Sequence, residues 1–298
     1  MTAETIASSV VEKAARLLHQ AEFILVCAGA GLSADAGVDF GESRNFLTRY
    51  PYLREIGVYS AAHSIGFKWP TKSMEWAFYA RHVDEVLLTP PVNPDPYVQL
   101  DLITRHANRW VLTSNADDLF MRMGFDAERI WTRQGTYAHV QCLKPCSDHV
   151  WETKPIIERL LPEVDYRTGE LADPAARPVC PRCGGEMMLN VRGGSWFVEA
   201  PYHSQEERFQ SWLRGIGSKR LVVIDVGSGF NTPTVVRWAA EAIVSRLPNA
   251  HLIRINLHHP DCHLPLDGRY TSIQARGADA IEMLAAATNL TCSLERRP

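Results

Sequence analysis

Residues 23–37 run Phe-Ile-Leu-Val-Cys-Ala-Gly-Ala-Gly-Leu-Ser-Ala-Asp-Ala-Gly, and their reading decides the fold. The first six are continuously apolar, without the alternation of a half-exposed strand. That is the pattern of a strand buried on both faces of a parallel sheet. The run halts at Gly29-Ala30-Gly31, and from position 28 to 36 every residue except Leu32 is Gly, Ala, Ser or Asp. A Gly-x-Gly turn between a strand and a helix lets backbone approach a ligand closely, and its amide N–H groups suit the charge of a pyrophosphate.

Working outward, residues 4–20 space Ile6, Val10, Ala14, Leu17 and Leu18 at helical intervals, which predicts an amphipathic helix leading into this strand. Apolar runs recur at 110–113, 221–226 and 252–257, with weaker ones at 129–132 and 271–274, and helical patterns cover 96–106, 233–247 and 278–288. Strands alternating with helices predict a doubly wound, Rossmann-like parallel sheet of the α/β class. Two stretches interrupt the rhythm. Residues 38–92 are rich in aromatic residues and helix formers and read as a helical insertion, whereas 142–200 hold four cysteines and a polar, Pro- and Gly-containing link and read as a small second module. The main domain is therefore expected over 1–141 and 201–298, with the small module over 142–200.

A dinucleotide-binding dehydrogenase would add a second strand ending in an acidic residue about 20 positions after the turn. Here that interval is aromatic and charged, which disfavours hydride transfer. The chain has 298 residues, 46% of them apolar, and a formal charge of -3 from 31 basic and 34 acidic side chains. A core of this size excludes disorder, and scattered basic residues argue against a nucleic-acid partner. No apolar run approaches a membrane span, and the first twenty residues resemble neither a secretory signal nor a transit peptide, so the expected location is cytoplasmic.

Seven cysteines suit a reducing compartment and an odd count suits no full disulfide framework. Cys142-x3-Cys146 and Cys180-x2-Cys183 are two knuckles that together supply the four thiolates of a structural zinc site. Cys27 and Cys292 read as ordinary residues, and the His258-His259-Pro-Asp-Cys262-His263 cluster reads as a polar loop. At the carboxyl ends of the expected strands lie Ser114-Asn115-Ala-Asp117-Asp118, Arg133-Gln134-Gly135, Gly227-Ser228-Gly229 and Asn256. Each is compatible with a helix cap or turn by itself, but their convergence on the edge that carries the glycine turn points to a binding site.

These segments resemble, in unbroken order over residues 10–288, the motifs of the sirtuins. Gly29-Ala30-Gly31-Leu-Ser33 with Gly37 and Asp39-Phe40 is similar to their NAD-binding signature, Ser114-Asn115-Ala-Asp117 to their Thr-Gln-Asn-x-Asp segment, and the cysteine pairs to their zinc ribbon. The resemblance implies further NAD contacts at Gly227, Ser228, Asn256 and Ala278, and catalytic roles for Asn115, Asp117 and Gln134.

Three departures bear on activity. Sirtuin deacylases carry His-Gly where this chain has Gln134-Gly135, and a side-chain amide cannot act as a general base near neutral pH. The usual Pro-Asp-Phe-Arg is Val38-Asp39-Phe40-Gly41, and the Phe-Gly-Glu beside the acyl-lysine tunnel is Trp196-Phe197-Val198-Glu199. The pattern resembles the macrodomain-linked, class M sirtuins. That resemblance implies mono-ADP-ribosyl transfer from NAD to a protein, in that group a lipoyl-carrier protein related to glycine-cleavage H, with a separate macrodomain hydrolase as the partner that removes the mark. The alternatives are a lysine deacylase with a relocated base such as His139, an NAD glycohydrolase, and an NAD sensor without turnover.

Overall fold

A computed structural model describes residues 8–38, 40–41 and 44–295, with side chains through residue 288. In chain order the strands are β1 (Phe23–Ala28), β2 (Asn108–Thr113), β3 (Ile130–Thr132), β4 (Gly135–Cys142), β5 (Trp151–Glu152), β6 (Val164–Asp165), β7 (Glu170–Leu171), β8 (Met187–Val191), β9 (Leu221–Val226), β10 (Ala250–Ile255) and β11 (Tyr270–Ile273). Six form one sheet in the order β11-β10-β9-β1-β2-β3, with every neighbouring pair parallel. The chain builds outward from β1 to β2 and β3, then returns to the other side of β1 to lay down β9, β10 and β11. The direction of winding thus reverses between β1 and β9, and in open α/β sheets ligands bind at such a switch point, beyond the carboxyl ends of the strands.

The continuous apolar run of β1 has its explanation in two cores. Ile24, Val26 and Ala28 pack into one hydrophobic cluster and Leu25 and Cys27 into the other, on opposite faces of the sheet. Val222, Ile224 and Val226 of β9 join the first, while Leu221 and Val223 join the second. β2 begins at Asn108, two residues before its apolar run, because Asn108 and Arg109 pair with Phe23 and Ile24 at the start of β1. The last helix, Gly277–Glu295, outruns the expected 278–288. No described helix is long and apolar enough to cross a membrane.

Among the described residues, 38–92 form helices and no strand, with Phe46, Tyr50, Trp76, Phe78 and Tyr79 buried. The link 161–178 is more than a connector. It carries the β6–β7 hairpin, whose Leu171 N–H donates to Ser73 Oγ at 2.8 Å and whose Glu170 accepts from Thr71 Oγ1 at 3.0 Å, so it packs on the helix Lys72–Val83. The cysteine-bearing stretch is built on a separate antiparallel sheet, β5-β4-β8, that begins at Gly135.

His82 lies in this core, its ring stacked on Phe78 with centroids 5.3 Å apart, and neither ring nitrogen has a hydrogen-bond partner among the described residues. Burial, reinforced by the Arg49 charge, pushes its pKa down to about 3 from an ordinary 6.5. The unfolded chain therefore takes up a proton that the fold refuses, so stability falls with pH below 6.5 and down toward 3. At pH 5 the contribution is on the order of 2 kcal/mol, from about 1.4 kcal/mol per unit. His82→Phe is expected to flatten the acid limb of the pH–stability curve. Chemical denaturation between pH 4.5 and 8 checks this, and an unchanged slope would refute it.

Candidate functional site

Both strands at the switch point end in glycine turns that are zipped together. Gly31 N–H donates to Gly227 O at 3.1 Å, Gly29 N–H to Val226 O at 3.0 Å, and Gly227 N–H to Ile255 O at 3.0 Å. A Cβ on Gly29 would stand 2.6 Å from the Ser228 Cα, and one on Gly31 2.7 Å from the Gly227 Cα. Only glycine permits this approach at both positions. Beyond the two turns opens a cleft of about 550 Å³ lined by Ala30, Gly31, Gly227, Ser228, Asn256 and Gly277 among others. The geometry corrects one expectation: the amides of Gly29 and Gly31 are spent on holding the second turn. A phosphate here would meet the Ala30 end of the turn.

The cleft's far wall rests on buried charge. Arg254, fully buried in β10, pairs with Asp225 of β9 at 2.9 Å and with Glu241 at 2.5 Å. Asp225 in turn accepts from Ser228 Oγ at 2.6 Å. Asn256 Nδ2 donates to Ser228 O at 2.9 Å, and Asn256 Oδ1 caps the amides of His258 and His259. Arg237, also buried, donates to the carbonyls of Ser228, His259 and Asp261 and so ties the loops after β9 and β10 to each other. At the other wall Asp35 accepts from Ala278 N–H at 2.9 Å and pairs with Arg276 at 3.0 Å.

Asn115 and Asp117 form a second, buried node behind the glycine turn. Asn115 Nδ2 donates to Gly29 O at 3.1 Å, and Ser33 Oγ donates to Asp117 Oδ2 at 2.5 Å while Leu119 N–H donates to Asp117 Oδ1 at 3.0 Å. Burial pushes the Asp117 carboxyl above its ordinary value, opposed by the Ser33 hydrogen bond. The Tyr97 hydroxyl lies beside Ser33 and Asn115. Gln134 stands between β3 and β4. Its carbonyl accepts from Arg192 N–H at 2.9 Å, and its side-chain Oε1 is buried without a partner among the described residues. An orphaned buried acceptor just past a strand end suits a polar ligand group.

Phe40 packs on Tyr137, centroids 5.9 Å apart, while Asp39 lies outside the described residues, as does the side chain of Cys292. His139 sits in β4 opposite Glu152 of β5, and no hydrogen bond among the described residues joins it to Asn115, Asp117 or Gln134. Cys27 is buried in the sheet.

The four remaining predicted ligands converge. Cys142 Sγ and Cys183 Sγ are 3.6 Å apart, as are Cys146 Sγ and Cys180 Sγ, and all four lie within 4.8 Å of one another. A tetrahedral zinc with bonds of about 2.3 Å needs sulfur atoms about 3.8 Å apart, so the donor set fits that ion and leaves no open position for substrate.

Sequence reading missed Asp35, Tyr97, Asp225, Arg237, Glu241 and Arg254. For two of them a signal existed: a charge interrupting each of the apolar runs Val-Ile-Asp-Val and Leu-Ile-Arg-Ile demands a buried counter-charge. Asp225 and Arg254 are in fact register partners in neighbouring strands.

No protein-family model matches the chain. It is 34% identical over 278 residues, 90% of its length, to a probable bifunctional ADP-ribose hydrolase/ADP-ribosyltransferase of Fusarium oxysporum f. sp. cubense, of which it covers 46%. The chain thus spans about half the length of that relative. To a protein ADP-ribosyltransferase of Staphylococcus aureus it is 23% identical, over 80% of this chain and 75% of the relative. The fold matches that of a Sir2 homologue in complex with NAD with a TM-score of 0.61 at 16% identity, over 94% of each chain.

Proposed function

We propose that this chain, a member of the sirtuin (Sir2) family, cleaves the nicotinamide–ribose bond of NAD and transfers ADP-ribose to a protein. The observation that carries the reading is Gln134. A residue that can hydrogen-bond but cannot titrate occupies the turn between β3 and β4, and its buried Oε1 is unspent among the described residues. Deacylation in this fold requires a ribose hydroxyl to be activated after the acyl oxygen has attacked, whereas ADP-ribosyl transfer requires only an acceptor nucleophile at the anomeric carbon. The names of the Fusarium and Staphylococcus relatives support the same choice.

In this reading the pyrophosphate side of NAD meets the Ala30 end of the turn that Gly29, Gly31 and Ser33 shape, with Asp39 and Phe40 following them in the chain. Gly227, Ser228, Asn256 and Ala278 hold its adenosine. Asn115 and Asp117 orient the nicotinamide ribose, and a buried carboxylate there favours the positive charge that develops as the bond lengthens. Gln134 bonds the ribose hydroxyls. Zinc on Cys142, Cys146, Cys180 and Cys183 is structural. The sheet domain, 1–141 and 201–298, supplies the NAD site, and the module 142–200 stands outside its lining. The acceptor is a lipoyl-carrier protein related to glycine-cleavage H, a separate macrodomain hydrolase removes the mark, and the setting is the cytoplasm.

The test incubates the chain with NAD and, in parallel, with a lipoylated carrier protein and with an acyl-lysine peptide. Intact mass of the carrier should rise by one ADP-ribose. Peptide-dependent nicotinamide release with formation of O-acyl-ADP-ribose would overturn the reading. A second expectation concerns the zipped turns: Gly31→Ala should weaken NAD binding more than tenfold and lower the melting temperature by a few degrees, since overpacking of this kind costs about 1–3 kcal/mol. Calorimetric titration with NAD reads the first and a thermal melt the second, and near-parental affinity would count against a ligand on this turn.

A further inference from the structure

Asp118 has no part in the roles given so far, yet its geometry is unusual. It follows Asp117 in the loop after β2 with φ of +53°, and among the described residues only one other non-glycine, Asp267, has positive φ. That region is strained for L side chains, is tolerated best by Asp and Asn, and collects at functional sites. Its neighbour Asp117 is buried with both carboxylate oxygens engaged, whereas Asp118 is part-exposed and has one oxygen committed: Oδ1 accepts from Thr136 Oγ1 at 2.7 Å. Thr136 is two residues beyond Gln134. Between them Gly135, at φ of +81°, is pressed against Asn190, where a Cβ would lie 2.1 Å from the carbonyl oxygen. Gln134 and the partner of Asp118 therefore belong to one rigid stretch of backbone.

The groups facing Asp118 are Asp117 on its own loop, Arg122 from the helix Leu119–Arg122, Thr136 from β4 and Tyr202 ahead of the helix His203–Arg214. Burial dominates over the Thr136 hydrogen bond and raises its carboxyl to about 6, the range of a base that works at neutral pH.

Resting on the transferase reading, we propose that Asp118 is the catalytic general base of this chain, supplying through its free oxygen the titratable function that Gln134 lacks. As the acceptor's nucleophile bonds to the anomeric carbon, the bond from that carbon to nicotinamide breaks and its electron pair leaves with nicotinamide, which departs neutral. The proton of the nucleophile passes to Asp118 Oδ2 and from there to solvent.

Asp118→Asn tests this in the full chain with its metal as isolated. The amide is isosteric, suits positive φ and still accepts from Thr136. A carboxyl raised in the fold loses stability as pH climbs from the unfolded value of 3.8 through about 6, so the variant, with no charge to bury, should melt no lower than the parent at pH 8. The parent's rate of ADP-ribose transfer should rise with one ionisation near pH 6. The variant should lose that rise and fall roughly a hundredfold at pH 7.5, the scale of general-base catalysis, with NAD affinity within about threefold and partial rescue by formate. A variant within threefold of the parent at pH 7.5, or with the parental pH profile, overturns the proposal. If the parent hydrolyses NAD but modifies no protein, the transferase reading falls and the pH profile of hydrolysis decides on Asp118 alone. A parent inert toward NAD overturns both.

Discussion

Asn115→Ala is expected to lower nicotinamide release from NAD by about 10²–10³-fold, the usual cost of removing one preorganised polar group from a reacting centre. Asn115 is held on two sides, its own amide donating to Thr113 Oγ1 at 3.0 Å and its Nδ2 donating to Gly29 O at 3.1 Å. It is therefore fixed relative to the glycine turn before any ligand arrives. Truncation removes that group and leaves the Gly29 carbonyl with the Leu32 N–H alone, and loss of one such hydrogen bond costs about 1 kcal/mol of stability. The two effects separate in measurement: a steady-state assay of nicotinamide should show the large loss, and a thermal melt only a small one. A variant that releases nicotinamide within fivefold of the parent would remove Asn115 from the reacting centre. A sensor without turnover would show no release in either protein, while NAD still raised the melting temperature of both.

Cys180→Ser is expected to empty the metal site and to melt the small sheet before the large one. Cys180 is buried, its N–H donates to Gly185 O at 2.7 Å, and its carbonyl accepts from Gly184 N–H at 2.8 Å. The knuckle is thus shaped by backbone around the sulfur, and a serine oxygen, shorter and harder, is a poor substitute for a thiolate. Structural zinc contributes on the order of 10 kcal/mol to small folded units. Metal analysis should fall from one zinc per chain to well below half, with calorimetry resolving a new low-temperature transition. NAD affinity should change less than fivefold, because the switch-point turns belong to the other sheet. A full complement of zinc in the variant would exclude Cys180 as a ligand.

How much was legible in the sequence depends on whether the signal was local. The run 23–28 and the small residues after it carry their meaning in themselves: continuous burial and a glycine turn leave few alternatives to a central parallel strand. The cysteine pairs were equally explicit, since knuckle spacing fixes two sulfurs from one turn. Asp118 stood in plain view beside Asn115 and Asp117, yet nothing local separates an engaged carboxylate from a free one. That distinction required Ser33, from 84 residues earlier, against Asp117 and Thr136 against Asp118. The hairpin Val164–Leu171 was hidden because its two-residue strands carry no period, and it exists by packing on the helix Lys72–Val83.

The sequence by itself therefore determined the doubly wound class, the strand that anchors it, the four sulfurs and the set of polar residues at strand ends. Local backbone preference and side-chain periodicity act over a few residues, and these features are written at that range. Only the tertiary structure decided that the turns after β1 and β9 close on each other through Gly31 and Gly227, that the amides of Gly29 and Gly31 are consumed in doing so, and which of two adjacent carboxylates stays free. Each of those is a matter of which distant atom completes a hydrogen bond, and burial makes such a bond costly to leave unmade.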